Sequence, residues 1–557
     1  MTARAHEMGA GPMLNAYPDS IGGHLCDIVS FLRRPELAGV FESFYILPSL
    51  YHTDLDRGFS VIDYGLNRQL ATQDDLTALQ ALGIDLKLDF ILNHASVLSP
   101  QFQDLLAYGE QSRYRDFFID WNRFWHGHGT MTAAGHIEPE PSLIRDMFFR
   151  KPGLPILSVR FPDGRDVPYW NTFYQEVQYR VPDRQELMAA LSLQFAEAGA
   201  LESLLRSELA AGRKPADMAL NAFATHHDAI VQLLESRRMY LGQMDLDIRS
   251  PLVWEFYEAT LQQLAAYGAS IVRLDAFAYA PKAVGKRNFF NEPETWECLA
   301  RVNDIATKYG LQLLPEIHTA YGEKTHEAIA ARGFLTYDFF LPGLIIDAFE
   351  RGTNEAILRW IADIREKGLR TVNMLGCHDG IPLLDLKGLL TDAQIEALIE
   401  LVVSRGGYVK DLHGQKNTYY QVNATYCSAL GGDERRLVLA RAIQMFMPGK
   451  PQVWYLDLFA GENDHAAVTR AGAGGHKEIN RTNLSLADIE VGLTRDVVTT
   501  QLELLQFRSR CRAFGFDATL AVLPSAAHEL KLRWSNQGVT ATLEADLAAC
   551  TYNISET

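Results

Sequence analysis

Apolar, strand-like runs recur along the 557-residue chain and alternate with helical patterns. Strands that alternate with helices predict an α/β architecture with parallel strands. Eight runs are apolar enough for buried strands, and eight is the number that a closed (β/α)8 barrel, or TIM barrel, needs. The predicted strands are Met13 to Tyr17, Phe44 to Pro48, Leu86 to Asn93, Ser270 to Asp275, Leu311 to Glu316, Leu335 to Phe339, Val372 to His378 and Gln452 to Leu456.

The stretch from about Ala95 to Ala269 separates the third and fourth predicted strands. It is too long for a loop without structure, and it therefore predicts an inserted domain. Within it, Asp183 to Leu209 predicts an amphipathic helix capped by Asp183, and Asn221 to Tyr240 predicts a second helix.

The end of the chain has a different pattern from about Phe516 onward. Apolar and polar residues alternate in Glu529 to Trp534 and in Val539 to Leu547, around the turn sequence Ser535-Asn536-Gln537-Gly538. This pattern predicts a hairpin, and with it a small antiparallel C-terminal domain.

Three carboxylates follow predicted barrel strands: Asp275, Glu316 and Asp379. A parallel barrel carries its chemistry at the carboxyl ends of its strands, supplied by several different strands. Arg273 precedes the first carboxylate by two residues, and His378 stands immediately before the third. Helix capping is the structural alternative, which Asp performs well and Glu poorly. The series therefore favours an active site.

The formal net charge is −17, which disfavours nucleic acid and anionic membranes as partners. Six cysteines are scattered without the spacing of a zinc site or a disulfide framework, which is typical of a reducing cytoplasm. The amino terminus has no secretory pattern, and no stretch approaches the roughly 18 apolar residues that span a bilayer. These features predict a cytoplasmic protein.

Four blocks together resemble the conserved blocks of the α-amylase family (glycoside hydrolase family 13), which contains retaining glycosidases and transglycosidases. They are Asp89-Phe90-Ile91-Leu92-Asn93-His94, Arg273-Leu274-Asp275, Glu316 and His378-Asp379. Further stretches resemble the sucrose phosphorylase subgroup of that family. These are Asp56 to Tyr64, Arg150 to Pro155, Gln243 to Asp247, Tyr420 to Tyr426 and Glu478 to Arg481.

Retaining cleavage of a glycosidic bond needs a carboxylate nucleophile and, about 5 Å away, a carboxylic acid that later acts as a base. The resemblance implies that Asp275 is the nucleophile, Glu316 the acid/base and Asp379 the residue that stabilises the transition state. Arg273 should keep Asp275 ionised, because a neighbouring opposite charge favours the anion. Glu316, after Leu313-Leu314, should have a raised pKa so that it is protonated near neutral pH.

The resemblance also implies a glucosyl pocket in which His94 and His378 bind hydroxyl groups and Phe59 forms an apolar platform. Asp56 and Arg481 would close its far side, and Arg273 and Gln243 would also contact substrate. No metal or organic cofactor is expected, and the loop from Asp245 to Asp247 should face substrate rather than calcium.

Inorganic phosphate would bind Arg150, Lys151 and Tyr420. Two features depart from the sucrose phosphorylase pattern: Lys151 replaces an arginine, and Thr418-Tyr419-Tyr420 replaces Asp-Leu-Tyr. Lysine is less suited than arginine to bidentate phosphate binding. The stretch from Tyr174 to Leu241 also looks inserted relative to that subgroup.

The sequence thus predicts a cytoplasmic, retaining α-glucoside phosphorylase that forms α-glucose 1-phosphate. A hydrolase or transglucosidase that uses the same acids remains open, and so do the leaving groups of sucrose, sucrose 6'-phosphate, glucosylglycerol and glucosylglycerate. The expected partners are an α-glucoside and phosphate, and a homodimer is compatible with the family. The expected domains are a barrel over 1–94, 243–380 and 433–515, an inserted domain B over 95–172, a helical insertion over 173–242, an acceptor-loop insertion over 381–432 after strand 7, and a C-terminal β domain over 516–557.

Overall fold

The computed structural model describes residues 8–149, 153–409, 421–472 and 475–557. Eight of its strands are parallel and are numbered along the chain: β1 (Met13–Ala16), β2 (Ser43–Ile46), β3 (Asp85–Ile91), β4 (Ala269–Asp275), β5 (Gln312–Pro315), β6 (Thr336–Asp338), β7 (Thr371–Met374) and β8 (Lys450–Trp454). They form a nearly closed barrel in the order β5-β4-β3-β2-β1-β8-β7-β6. The predicted α/β barrel is confirmed, and each predicted strand end lies within four residues of the observed one.

Two compact units make up the chain. The first takes in the described residues of Met1–Asn93, Asp146–Phe148 and Ile248–Thr557, and the second those of His94–Arg145 and Phe149–Asp247. The barrel belongs to the first unit.

Helices follow the barrel strands, as in alternating β/α folds. Those of the first unit are Leu25–Leu32, Gln73–Ala81, Pro251–Ala266, Glu294–Lys308, Thr325–Ala330, Leu341–Arg351, Glu355–Glu366, Asp392–Ser404, Tyr426–Ala429, Glu434–Phe446, Tyr455–Leu458, His465–Ala471, Leu486–Gly492 and Asp496–Arg510. No helix among the described residues is both long and apolar enough to cross a membrane.

Among the described residues of the first unit, three antiparallel sheets accompany the barrel. Tyr51–Leu55 pairs with Ser60–Leu66 after β2, and Tyr408–Val409 pairs with Val422–Asn423 after β7. The C-terminal sheet contains Thr519–Val522, Glu529–Asn536, Val539–Asp546 and Thr551–Glu556 in sequence order. The predicted hairpin is confirmed: Gln537 and Gly538 turn the chain with φ of 50° and 82°, the left-handed conformation that tight hairpins use.

The second unit combines short strands and helices. Its strands are His94–Ser96, Gly129–Met131, Ile137–Pro139, Ile156–Arg160, Asp166–Trp170, Gln175–Tyr179 and Arg238–Asp245, and its helices are Pro100–Tyr108, Trp121–Phe124, Pro141–Ile144, Arg184–Leu191, Phe195–Ala210 and His227–Glu235. Arg238–Asp245 is the central strand of a sheet, between Gln175–Tyr179 and His94–Ser96.

Two helix predictions in this unit were wrong in extent. The segment from Asp183 to Leu209 forms two helices, because Ser192 adopts a left-handed conformation (φ 56°) that ends the first. The predicted cap is confirmed, since the Asp183 carboxylate accepts a hydrogen bond from the Glu186 amide at 2.9 Å. The second predicted helix is a short 3-10 helix, Asn221–His226, followed by His227–Glu235, and Tyr240 lies in a strand.

Candidate active site

The three carboxylates lie at the carboxyl ends of β4, β5 and β7. Asp275 is the last residue of β4, Glu316 directly follows β5, and Asp379 lies in the turn after β7. Backbone hydrogen bonds fix two of them: the Leu92 amide donates to the Asp275 carbonyl at 3.1 Å, and the Glu316 amide donates to the Leu274 carbonyl at 3.2 Å. All three side chains are about 14–15% exposed, so a small part of each is accessible to solvent.

One guanidinium joins two of these carboxylates. Arg273 Nη1 lies 3.0 Å from Asp275 Oδ1, and its Nη2 lies 2.5 Å from Glu316 Oε1. Arg273 is itself held in the barrel interior by Asp89 Oδ1 at 2.6 Å, and Tyr45 donates to the Asp89 carboxylate at 2.8 and 3.0 Å. The shared guanidinium places the two carboxylates side by side, as a nucleophile and an acid/base must be.

The pKa shifts of this pair have directions opposite to the expected ones. Burial raises the pKa of Asp275 well above its ordinary value, against the opposing charge of Arg273. Burial also raises the pKa of Glu316, but Arg273 and His318 outweigh it and lower that pKa to about 2. The closer contact of Arg273 with Glu316 explains why the pKa of Glu316 is the lowered one of the two.

Asp379 lies in a cationic setting. Lys477 Nζ is 2.7 Å from Asp379 Oδ1, Arg481 Nη2 is 3.5 Å from the same oxygen, and His378 Nε2 is 3.2 Å from Oδ2. Burial raises the pKa of Asp379, but these three groups outweigh it and hold the pKa well below the ordinary value. An ionised carboxylate at this position can stabilise a cationic sugar.

The expected pocket residues of the first unit surround the same carboxylate. Phe59 stacks on His378 with ring centroids 4.9 Å apart, which gives the pocket an apolar wall. Arg481 is nearly fully buried and donates from Nε to the His378 carbonyl at 2.8 Å. Asp56 lies 3.8 Å from Arg481 Nη1 and 3.5 Å from Lys477 Nζ. The structure therefore brings Asp56, Phe59, His378 and Arg481 together.

Asp56 and Arg57 are both left-handed, with φ of 48° and 49°. Two successive non-glycine residues in this conformation are costly, and such strain persists where surrounding contacts determine the backbone. Arg57 has these contacts: its guanidinium donates to the Arg481 carbonyl at 2.6 Å and lies over the Tyr17 ring at 4.2 Å. The strained turn directs Asp56 towards Lys477 and Arg481.

A histidine and a second buried carboxylate lie behind Glu316. His318 Nε2 is 3.6 Å from Glu316 Oε1, and His318 Nδ1 is 2.8 Å from Asp385 Oδ2. Burial lowers the pKa of His318, but Asp385 and Glu316 outweigh it and raise the pKa well above the ordinary value. Burial raises the pKa of Asp385, and His318 opposes that rise.

The turn that carries Asp379 is fixed to the strand pair after β7. Asn423 Nδ2 donates to the Asp379 carbonyl at 2.6 Å, and Ile381 and Val422 exchange two backbone hydrogen bonds of 2.9 Å. Between them, Gly380 has φ 102°, and a Cβ there would meet the Val422 carbonyl oxygen at 2.3 Å. Only glycine allows this close approach of two backbones.

His94 and Gln243 belong to the second unit. They lie on neighbouring strands, where His94 pairs with Asp245 and Gln243 pairs with Ser96. Asp245, expected to face substrate, is fully buried and accepts hydrogen bonds from the Thr172 amide at 2.8 Å and the Thr172 hydroxyl at 2.5 Å. A structural role within its unit therefore accounts for the Asp245 carboxylate.

The three residues expected to bind phosphate, Arg150, Lys151 and Tyr420, lie outside the described residues. Their flanks are described. The Phe148 amide donates to Asn288 Oδ1 at 2.9 Å, and Asn288 Nδ2 donates to the Phe148 carbonyl at 2.7 Å, which fixes this backbone to the loop after β4. Gln421 lies 3.2 Å from His318, between their Nε2 atoms.

One group of potential metal ligands is present among the described residues, namely His24, Cys26 and Asp75. These groups already serve the ends of two helices: His24 Nδ1 accepts from the Cys26 amide at 3.1 Å, and the Asp75 carboxylate accepts from the Thr72 amide at 2.7 Å. Helix capping accounts for the cluster.

Sequence reasoning missed four residues of the site: Asp89, His318, Asp385 and Lys477. A signal existed for two of them. Asp89 opens the first family-like block, and Lys477 immediately precedes Glu478-Ile479-Asn480-Arg481. No local pattern marks His318 or Asp385, because their contact joins two separate loops.

Comparison with known proteins agrees with this geometry. The chain is 52% identical, over 97% of its length and 95% of the relative, to sucrose 6F-phosphate phosphorylase of Ilumatobacter coccineus. It is 29% identical to sucrose phosphorylase of Streptococcus mutans, covering 98% of this chain and 97% of that one. The crystal structure of sucrose 6F-phosphate phosphorylase from Thermoanaerobacter thermosaccharolyticum matches with a TM-score of 0.80 at 30% identity, over 99% and 96% of the two chains.

No family model matches the chain, so membership depends on these relatives and on the site. A relative with 52% identity over almost the whole length establishes common descent. The chain belongs to the sucrose and sucrose 6F-phosphate phosphorylase subgroup of the α-amylase family, glycoside hydrolase family 13.

Proposed function

We infer that this chain is a retaining α-glucoside phosphorylase, which transfers a glucosyl unit to inorganic phosphate and forms α-glucose 1-phosphate. The observation that carries the inference is the Arg273 guanidinium, which contacts Asp275 and Glu316 at 3.0 and 2.5 Å in a chain with full-length phosphorylase relatives. Retention requires two neighbouring carboxyl groups, about 5 Å apart, and one guanidinium in contact with both keeps them near each other.

In the first half-reaction we assign Asp275 as the nucleophile and Glu316 as the acid. A carboxylate oxygen of Asp275 attacks the anomeric carbon, the glycosidic bond breaks, and the proton of Glu316 passes to the leaving oxygen. Arg273 and His318 lower the pKa of Glu316, whereas burial raises that of Asp275. We therefore propose that the substrate, by contacting Arg273 and Asp379, favours transfer of the pair's proton from Asp275 to Glu316.

In the second half-reaction a phosphate oxygen attacks the anomeric carbon, the ester bond to Asp275 breaks, and a phosphate proton passes to Glu316. Glu316 is well suited to this step as a base, because Arg273 and His318 favour its anion. The proton gained from phosphate replaces the proton given to the leaving sugar, so one turnover balances without solvent protons.

We propose sucrose 6F-phosphate as the preferred substrate, because the relative with 52% identity carries that name. Sucrose is the second candidate, because the subgroup also contains sucrose phosphorylases. Purified protein should be assayed with phosphate and each sugar, with glucose 1-phosphate measured as the product. A larger kcat/KM for sucrose than for its 6F-phosphate, or for glucosylglycerol or glucosylglycerate, would replace the proposed substrate.

Arg150, Lys151 and Tyr420 are proposed to gather phosphate. The anchoring of Phe148 to Asn288 and of Gln421 beside His318 supports this, because both flanks adjoin loops that carry the catalytic carboxylates. Neutralising Arg150 and Lys151 together should raise the KM for phosphate strongly while glucosyl-enzyme formation stays near normal. Turnover at one rate with or without phosphate, with glucose as the only product, would identify a hydrolase instead.

The nucleophile has a direct test. Asp275→Asn should lower turnover by several orders of magnitude, because a covalent nucleophile is hard to replace. A slow fluoroglucoside should label the wild-type protein on Asp275, as mass spectrometry of peptides can determine, and a label on another residue would overturn the assignment.

His94 and Gln243 are proposed to complete the glucosyl pocket. The cytoplasm is the proposed compartment, because unpaired cysteines suit a reducing environment.

A further inference from the structure

We propose that Asp385 is a positioning residue of this reaction: it holds His318 as a fixed imidazolium beside Glu316, and this imidazolium stabilises the carboxylate that forms when Glu316 gives its proton to the leaving sugar. The proposal rests on the proposed role of Glu316 as the acid. Asp385 itself acts only through His318.

The contacts leave the His318 ring little freedom. Nδ1 lies 2.8 Å from Asp385 Oδ2, and the ring stacks on Phe339 with centroids 4.0 Å apart and an interplanar angle of 24°. The Asp385 side chain is only 4% exposed, and that of His318 is 17% exposed. A buried carboxylate at hydrogen-bonding distance fixes both the orientation and the tautomer of an imidazole.

The other ring nitrogen faces the acid/base. Nε2 lies 3.6 Å from Glu316 Oε1, so His318 has a carboxylate on each side. Charged groups near it among the described residues include Glu316, Asp385 and, beyond Glu316, Arg273. A ring nitrogen that faces a carboxylate is favoured as an N–H donor, and with Nδ1 donating to Asp385 both nitrogens carry protons.

Gln421 fits the same arrangement. Its amide lies 3.2 Å from His318 Nε2, and the two ends of an amide are interchangeable by a half-turn of the side chain. With its oxygen towards the ring, Gln421 accepts a hydrogen bond from the imidazolium. Gln421 therefore accommodates the charged ring and adds no competing charge.

This arrangement acts on one half-reaction in particular. As the glycosidic bond breaks, the proton leaves Glu316 and negative charge grows on Oε1. A cation already in place stabilises that charge without reorganisation, which is the main way in which enzymes lower such barriers. Formation of the glucosyl-enzyme from a substrate that needs no protonation, such as α-glucosyl fluoride, gains nothing from it.

The experiment measures formation of the glucosyl-enzyme in a single turnover, from sucrose 6F-phosphate and from α-glucosyl fluoride. Asp385→Asn should slow the first by about tenfold to a hundredfold and the second by less than about threefold. Asp347→Asn is the matched control, because Asp347 is a buried carboxylate paired with Arg351, and both rates should stay near wild type. Equal losses on both substrates in Asp385→Asn would overturn the proposal.

Two further measurements distinguish a failure of the role proposed for Asp385 from a failure of the acid role proposed for Glu316. Glu316→Gln should show the same preference for the fluoride, and if it does not, the acid role of Glu316 fails rather than that of Asp385. Nitrogen-15 spectra of the His318 ring, assigned by their loss in His318→Gln, should show an imidazolium at pH 8 in the wild type and a neutral ring in Asp385→Asn. A neutral ring at pH 8 in the wild type would also overturn the proposal.

Discussion

At the scale of single residues, the Arg273 contacts lead to a prediction about protons. Burial raises the pKa of Asp275, while Arg273 and His318 lower that of Glu316 to about 2, so the pair should hold one proton on Asp275 in the free enzyme. An unreactive glucoside should move that proton within the pair. Calorimetric titration in buffers of different ionisation enthalpy should therefore detect much less than one proton exchanged near neutral pH.

Infrared difference spectra provide the control for this prediction. The band of a protonated carboxyl group should be present in the free wild-type protein and lost in Asp275→Asn. Uptake of one full proton from buffer on binding, with no such band in the free protein, would mean that Asp275 is ionised before substrate arrives.

Lys477 supports a second prediction at this scale. It contacts Asp379 at 2.7 Å and Asp56 at 3.5 Å, so its charge reduces the repulsion between two carboxylates of the glucosyl pocket. Lys477→Met should lower kcat/KM by about tenfold to a hundredfold, the expected cost of roughly 1.5–3 kcal/mol for a lost charged contact. Lys387→Met, which removes an exposed lysine, is the control. Equal kcat/KM in both variants would exclude this role.

The residue types of the site were predictable from their place after apolar strands, but their contacts were not. The resemblance implied that Arg273 serves Asp275, whereas its shorter contact is with Glu316. No spacing along the chain shows which carboxylate this guanidinium contacts more closely. His318 and Asp385 were not predicted for the same reason, since their contact joins two loops that are separate in the sequence.

At the scale of elements, the helix Thr325–Ala330 contains a buried histidine. His326 is 6% exposed and is surrounded by the rings of Tyr321, Phe340 and Trp360. Burial lowers its pKa to about 4, so protonation opposes folding. The stability that the neutral ring provides is complete above pH 6.5 and is lost as the pH falls towards 4, by about 3 kcal/mol at most.

The measurement is the melting temperature as a function of pH. Wild-type protein should lose more stability between pH 6.5 and 4 than His326→Phe or His326→Gln, since neither replacement titrates. His126→Gln, at an exposed histidine, should follow the wild-type curve. Parallel curves for wild type and both His326 variants would show that this residue does not titrate in that range.

Elements were predicted well where burial is two-sided and poorly where it is partial. The barrel strands are buried on both faces and therefore appear as continuous apolar runs. Arg238–Asp245 is partly buried, and its first residues resemble the end of an amphipathic helix. Ser192 breaks a helix without Gly or Pro, the residues that mark such breaks in a sequence.

At the scale of the whole molecule, the helical part of the second unit has its own core. Its buried residues are Leu187, Leu191, Ala198, Leu201, Leu205, Met218, Leu220, Ile230 and Leu234. The segment leaves the sheet after Tyr179 and returns at Arg238, and these two residues are directly paired. A two-residue turn can therefore replace it.

We predict that replacing Arg180–Arg237 by Asn-Gly leaves the rate of glucosyl-enzyme formation within about fivefold of wild type, because a segment with its own core contributes little to the folding of the rest. Single-turnover kinetics and the melting temperature of the shortened protein provide the measurement. A shortened protein that folds but no longer reacts would show that these helices take part in the reaction.

The close approach at Gly380 attaches the Asp379 turn to the strand pair after β7. Two backbone hydrogen bonds join Ile381 to Val422, and the Asn423 side-chain amide donates to the Asp379 carbonyl. Tyr408–Val409 is the other strand of the pair. Both ends of the sequence between Val409 and Val422 therefore lie on this strand pair, which also fixes the backbone of the Asp379 turn. We expect that substitutions between Val409 and Val422 leave the backbone of the Asp379 turn in place, because Val422 and Asn423 hold that turn directly.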